Sequence, residues 1–380
     1  MTELASASQI TEVRSSFPAY DAAELGFRDY WYPVLAARSL KNRPVPITVC
    51  GDKIVLIRDK GGVRALKDRC PHRGVPLSLG HQIFPGTLTC AYHGWTFDLE
   101  TGALRQALTD GPDSAVCRDA EVYIKTYPVE ERANLIWVYL GDEPCPPLED
   151  DVPEVMLTDD AVVEPMVELR EGNWRYAMEN ACDEAHAKYL HRYSPFYYFC
   201  RFPGWQTDVR LFPSEDGKWL NRVSKPVFDP VAYPGLGTWP PPEPWKKYRR
   251  RASKFAARLP ATFIIDHHTW QDFQFFVPVD RDHHLALQIS MMRTKGLQKL
   301  LWKLRYWLLI RPLHHVLLNR REDGLIVKNM SSPPEWLFRP DISIIAWRRW
   351  CQQRARRAPG GDQEPIRSAS PAIERQQISA

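Results

Sequence analysis

Cys70-Pro71-His72-Arg73-Gly74 is followed, with seventeen residues between His72 and the next cysteine, by Cys90-Ala91-Tyr92-His93-Gly94-Trp95. Each half offers one thiolate and one imidazole. Four such ligands could hold zinc tetrahedrally, but zinc knuckles usually pair Cys with Cys in one loop and His with His in the other. One Cys and one His from each loop suit instead a binuclear iron–sulfur centre, in which two thiolates hold one iron and two imidazoles hold the other. Gly74 and Gly94 would let each loop turn tightly and aim backbone N–H groups at the sulfurs.

Around these loops the sequence reads as β structure over residues 30–141. Short apolar runs (Ile47–Cys50, Ile54–Arg58, Gly86–Cys90, Leu135–Leu140) alternate with turn signals such as Gly51-Asp52 and Lys60-Gly61-Gly62. Before it lies a terminal segment, residues 1–29. After it, residues 142–153 are rich in Pro and acid and read as a linker to a mixed region, 154–350. Strands are expected there at Phe263–Ile265, Phe273–Val279 and Leu285–Met291. Residues 351–380 form a polar, basic tail of disordered composition.

A second group of ligating residues follows the linker. Asn173 is a good N-cap for a helix running to about His191. Glu179, Asp183 and His186 would share one face of it, with Asn180 beside them. His186 and His191 are five residues apart, about 140° round an ideal helix, so they meet at one metal only if the helix bulges or ends between them. Two histidines near a helix end are, by themselves, more often surface or capping residues.

Together the two groups resemble the Rieske non-haem iron oxygenase α subunits. The cysteine–histidine loops match that family's two cluster boxes, and the spacing from Glu179 to His191 matches its iron-binding helix. YDAAELGFRDYWYPVLAARSL (20–40) and TYPVEERANLIWVYLGD (126–142) are similar to the group containing carbazole-type dioxygenases and related monooxygenases. The resemblance implies an α+β protein, with an N-terminal all-β Rieske [2Fe–2S] domain and a helix-grip-like α/β catalytic domain built on an antiparallel sheet. It implies that Cys70, His72, Cys90 and His93 hold the cluster. It implies mononuclear Fe(II) on His186, His191 and a distant carboxylate, the 2-His-1-carboxylate arrangement that leaves positions open for O2. Asp323 aligns with that carboxylate, Glu322 is the neighbouring alternative, and Asp341 reads rather as a helix N-cap. Asp183 is implied as the group linking His186 to a neighbouring subunit's His93, with Asn180 beside the iron.

The implied partners are a ferredoxin or an NAD(P)H-dependent reductase, an apolar aromatic or heterocyclic substrate, and two further copies of the chain in a homotrimeric ring. Monooxygenation or dealkylation of a steroid- or lipid-like substrate is the alternative. An electron carrier without mononuclear iron is the alternative from another class.

Charge narrows the choice. The net charge of +4 resides in residues 348–380, and residues 1–347 are neutral. A neutral body does not present the basic face of a nucleic-acid binder. The start, MTELASASQITEVRSSF, has no secretory pattern, and eight cysteines without regular spacing fit a reducing compartment, so a cytoplasmic protein is expected. Two segments are strongly basic, Pro240–Arg258 and Arg293–Arg321. In the second, Leu297, Leu300, Leu301 and Leu304 fall at helical spacing opposite Lys295, Lys299 and Lys303, which suits a lid or core-packing insert better than a membrane anchor. Core packing is expected of the aromatic run Arg192–Phe199, with a pocket wall as the alternative. Surface positions are expected for His81, His283-His284 and His314-His315, and for His267-His268, with pocket lining as the alternative for that last pair.

Overall fold

The computed structural model describes residues 17–119, 121–191, 194–195, 206–226, 231–239, 253–331, 335–337 and 339–357. A short helix, α1 (Pro18–Ala22), precedes the strands β1 (Tyr30–Ala36), β2 (Val45–Val49), β3 (Asp52–Asp59), β4 (Gly62–Lys67), β5 (Thr87–Thr89), β6 (Trp95–Asp98) and β7 (Leu104–Ala107). The helix α2 (Ala115–Asp119) leads to β8 (Thr126–Tyr127), β9 (Val129–Arg132) and β10 (Leu135–Leu140). They form three small antiparallel sheets, ordered β2-β3-β4-β8, β5-β6-β7 and β1-β10-β9.

The second half is built on a seven-stranded antiparallel sheet. Its strands are β11 (Ala161–Glu171), β12 (Gln206–Pro213), β13 (Trp219–Pro226), β16 (Ser253–Arg258), β17 (Thr262–Asp266), β18 (Gln271–Pro278) and β19 (His283–Arg293), in the order β11-β19-β18-β17-β16-β13-β12. A hairpin, β14 (Val231–Tyr233) and β15 (Gly237–Trp239), stands apart. The helix α3 (Trp174–Cys182) lies against β17, β18 and β19 and is followed by α4 (Ala185–Tyr189). After β19 come α5 (Leu297–Arg305), a π-helical stretch (Tyr306–Asp323), α6 (Gly324–Val327) and α7 (Ile342–Arg354). Pro312, which has no N–H to donate, sits inside the π-helical stretch. Among the described residues no helix is long and apolar enough to cross a membrane.

One apolar core runs through both halves. β10 is buried on both faces, and its Trp137 meets Phe275 of β18 edge to face at 5.5 Å. The backbone N–H groups of Cys50 and Gly51 donate to the carbonyls of Pro278 and Val279, at 2.8 and 3.0 Å. Residues 142–153 are strapped down: Leu148 and Val152 are buried, and Asp151 accepts from the Trp31 N–H at 2.9 Å and pairs with Arg356 at 2.8 Å.

Several expectations need correcting. His284, His314 and His315 are buried, because β19 and the π-helical stretch turn them inward, whereas His81 and His268 are exposed as expected. His267 stacks on Trp270, with ring centroids 4.0 Å apart. α5 packs through Trp302, followed by Tyr306 and Ile310, and turns Leu297, Leu300, Leu301 and Leu304 to solvent. The larger aromatic rings gain more from burial than the leucines, and the Trp302 indole N–H finds the Val162 carbonyl at 3.2 Å. The start of the tail is ordered: α7 extends through Arg354, and Arg357 pairs with Asp29 and Asp142. Most of the run 192–199, residues 240–252 of the first basic segment, and everything beyond residue 357 lie outside the described residues.

Candidate metal centres and cavity

The two cysteine–histidine loops fold alike. In each, the cysteine N–H donates to the carbonyl five residues on (Cys70 to Val75, Cys90 to Trp95, both 2.8 Å), and the glycine four residues on donates back to the cysteine carbonyl. Gly74 and Gly94 stand at φ +76° and +66°, where a side chain is strained. A Cβ on Gly94 would also come within 2.8 Å of Leu108. The loops thereby bring Nδ1 of His72 and Nδ1 of His93 to 3.1 Å, with both cysteines buried beneath them. Burial and the neighbouring Cys90 push the Cys70 thiol up to about 11. Two thiols and two imidazoles, one of each from either loop, are the donor set that fits a binuclear iron–sulfur cluster. His72 is exposed, and the exposed Tyr92 ring lies against His93, with centroids 3.7 Å apart.

The expected single helix ends early. Asp183 caps α3 in extended conformation and turns the chain into α4. Its carboxylate accepts from the N–H groups of Ala185 and His186, at 2.7 and 3.0 Å. This break satisfies the requirement that His186 and His191 converge: their rings lie 5.2 Å apart at 79°. Glu179, expected on the same face, is instead held by Arg348 of α7 at 2.7 Å.

Asp323 ends the π-helical stretch between the two histidines. Its Oδ1 is 3.5 Å from Nε2 of His186 and 3.1 Å from Nε2 of His191. That oxygen is buried without a well-formed hydrogen bond, although two ring nitrogens face it, and a cation between the three resolves the arrangement. Burial pushes the Asp323 carboxyl up, but the two imidazoles outweigh it and hold it well below the usual carboxylate range. Burial likewise pushes Asp183 up, while His186 and the two backbone donors hold it below its ordinary value. Glu322 lies elsewhere: its Oε2 meets Nδ1 of His191 at 2.6 Å, on the far side of the ring from Asp323. Sequence spacing offered Glu322 only as an alternative to Asp323, and its position behind His191 had no signal. Asp341 stays at the N-terminus of α7, remote in role from this group.

The three side chains open on a cavity. Phe255, Phe263, Ile265 and Phe276 supply apolar walls, and Asn180, Gln274, Gln288 and Asn319 supply polar ones. Oε1 of Gln288 and Nδ2 of Asn319 are buried with no hydrogen-bond partner among the described residues. A buried ion pair, Arg222 with Glu184 at 3.1 Å, closes one side, and sequence reasoning gave no sign of it.

The Rieske [2Fe-2S] domain family matches residues 30–128, and the family described as homotrimeric ring hydroxylase matches residues 139–205. The terminal oxygenase component of carbazole 1,9a-dioxygenase from Sphingomonas sp. is 32% identical over 396 residues, spanning 93% of this chain and 98% of the relative. The chain belongs to the Rieske non-haem iron oxygenase α subunits. The solved terminal oxygenase of carbazole 1,9a-dioxygenase from Novosphingobium sp. KA1 superposes on this oxygenase with a TM-score of 0.77 at 28% identity, covering 90% of this chain and 96% of that one. A solved complex between the oxygenase and ferredoxin of carbazole 1,9a-dioxygenase contains a similar chain, with a TM-score of 0.75 at 25% identity, covering 90% and 93%. This oxygenase is thus an O2-dependent oxidoreductase with a [2Fe–2S] Rieske cluster and a mononuclear iron.

Glu322→Gln keeps the shape of the side chain and removes the negative acceptor behind His191. Iron affinity at the mononuclear site is expected to fall roughly ten- to a hundredfold. Competition with a chelator, followed by iron analysis, measures it, and the cluster absorbance should not change.

Proposed function

We propose that this chain is the terminal oxygenase of a multicomponent system, hydroxylating an apolar aromatic or heterocyclic small molecule with O2. Electrons would come from a ferredoxin or an NAD(P)H-dependent reductase, which goes with a cytoplasmic setting. The observation that carries this reading is the pair of ligand sets on one chain, the second opening on an aromatic-walled cavity. In it, Cys70, His72, Cys90 and His93 hold the cluster, and His186, His191 and Asp323 hold Fe(II). The cluster would supply single electrons, and the iron a site for O2 beside the substrate. Asp183 orients the His186 ring and Glu322 the His191 ring. Phe255, Phe263 and Phe276 exclude water and pack against a planar ring, while Asn180 borders the same space. Gln288 and Asn319 add one buried acceptor and one buried donor, which favours a ring bearing a heteroatom over a plain hydrocarbon. Turnover with reductase, ferredoxin, 18O2 and a panel of fused heteroaromatics tests the proposal. Labelled product is expected, and reductant consumption without labelled product from any of them would refute it.

We further propose a homotrimeric ring in which one subunit's cluster serves the next subunit's iron. The exposed His72 and the exposed Tyr92 against His93 suit docking of another protein surface. Asp183 would then lie between its own His186 and the neighbour's His93. Chains carrying Cys70→Ser and chains carrying Asp323→Ala, each inactive alone, are expected to regain partial turnover when co-assembled, because some intact clusters face intact irons. Mixed rings, verified by mass, that stay inactive would exclude transfer across the interface.

A second reading, in which the substrate is steroid- or lipid-like and taken from a membrane surface, is favoured by α5 alone. Its exposed Leu297, Leu300, Leu301 and Leu304 continue into Trp307, Leu308 and Leu309, beside Lys299, Lys303 and Arg305. Co-sedimentation with anionic vesicles that is lost in a Leu301→Asp, Leu308→Asp double variant is the expected result under this reading. No binding by the wild type would remove it.

A further inference from the structure

The sheet and the π-helical stretch hold a second group of ligating side chains beside the three facing the cavity, and one of its members, His314, also lines that cavity. Asp272 of β18 and His314 and His315 of the π-helical stretch are fully buried, and one ligating atom from each lies within 4.8 Å of the other two. Nε2 of His315 is 3.0 Å from Oδ1 of Asp272, and Nδ1 of His314 is 3.8 Å from Oδ2. The two rings are 5.4 Å apart between centroids. These dimensions repeat those of His186, His191 and Asp323, where the nitrogen–oxygen separations are 3.5 and 3.1 Å and the rings 5.2 Å apart.

The surroundings also resemble a ligand set. Gln274 donates to Oδ2 of Asp272 at 3.1 Å, and the Ser290 hydroxyl lies 3.0 Å from Nε2 of His315 and 3.3 Å from Oδ1 of Asp272, so outer groups fix the carboxylate and one ring. His267 approaches His314, with ring centroids 5.6 Å apart. Burial pushes Asp272 up, but the adjacent histidines outweigh it and hold the carboxyl at about 2. Burial and neighbouring positive charge push His267 down to about 3, and burial pushes His314 down to about 4. Nitrogen and oxygen donors of this kind suit a divalent first-row ion.

We propose that Asp272, His314 and His315 form a site for a divalent first-row metal, for which Zn2+ is the best fit. The ion would tie the π-helical stretch, and with it the position of Asp323 eight residues beyond His315, to the central sheet.

The test is metal analysis of the full-length holoprotein after equilibration with Zn2+ and desalting. About one zinc per chain is expected beyond the iron, and it should persist in an Asp323→Ala chain, whose cavity site is impaired. Asp272→Asn should lose it while keeping the cluster spectrum. Should Asp272→Asn fail to fold, zinc-edge absorption on the wild type decides instead, with imidazole and carboxylate scattering expected. A wild type that takes up no zinc, or zinc that disappears with Asp323→Ala, overturns the proposal and leaves a hydrogen-bonded polar core.

Discussion

Asp323→Ala is expected to lower iron from about three to about two per chain and turnover by roughly a thousandfold or more, with the cluster still reducible. The size follows from position. Oδ1 of Asp323 lies within 3.5 Å of Nε2 on both histidines. Without it two imidazoles remain, and these bind Fe(II) weakly. Glu322 cannot substitute, since it is engaged with the opposite nitrogen of His191. Iron analysis beside single-turnover reduction measures both halves of the expectation. Full iron and activity in this variant would move the third ligand elsewhere.

Cys70→Ser is expected to abolish the cluster's visible absorption and its low-temperature EPR signal, and with them all turnover driven by the reductase. A serine hydroxyl is far less acidic than the thiol and does not replace it on iron. The sheet of residues 161–293 should keep its structure, because the loop is buried against its own small core of Val55, Leu77, Leu88 and Phe97. Far-ultraviolet circular dichroism close to wild type, with a bleached visible spectrum, is the result that would bear this out. A coloured, EPR-active variant would remove Cys70 from the ligand set.

The two loops and the start of α3 were legible because their chemistry is local. The loops at Cys70 and Cys90 carry both ligands and the glycines their turns need, and Asn173 marks the start of α3. The requirement that the helix end between His186 and His191 also follows from arithmetic on a wheel, and Asp183 meets it. What stayed hidden depends on contacts distant in sequence. Nothing near His314 or His315 announces that Asp272, over forty residues earlier, will lie against them. His284 was misread for the same reason, since a strand covered on both faces loses the alternation that marks an inward residue. In α5 the periodicity of the leucines was real, but the competing face with Trp302 won the core.

The apolar core that joins Trp137 to Phe275, sealed by the backbone bonds from Cys50 and Gly51, bears on how such enzymes can be re-engineered. A donor cassette cut at residue 141 for transplantation into another oxygenase would leave behind the surface its strands were shaped to fit, and would expose β1 and β10 to water. Swapping electron-accepting modules between relatives therefore calls for a graft boundary that follows the contact between β10 and β18, with both sides recombined together, and not a seam drawn along the chain.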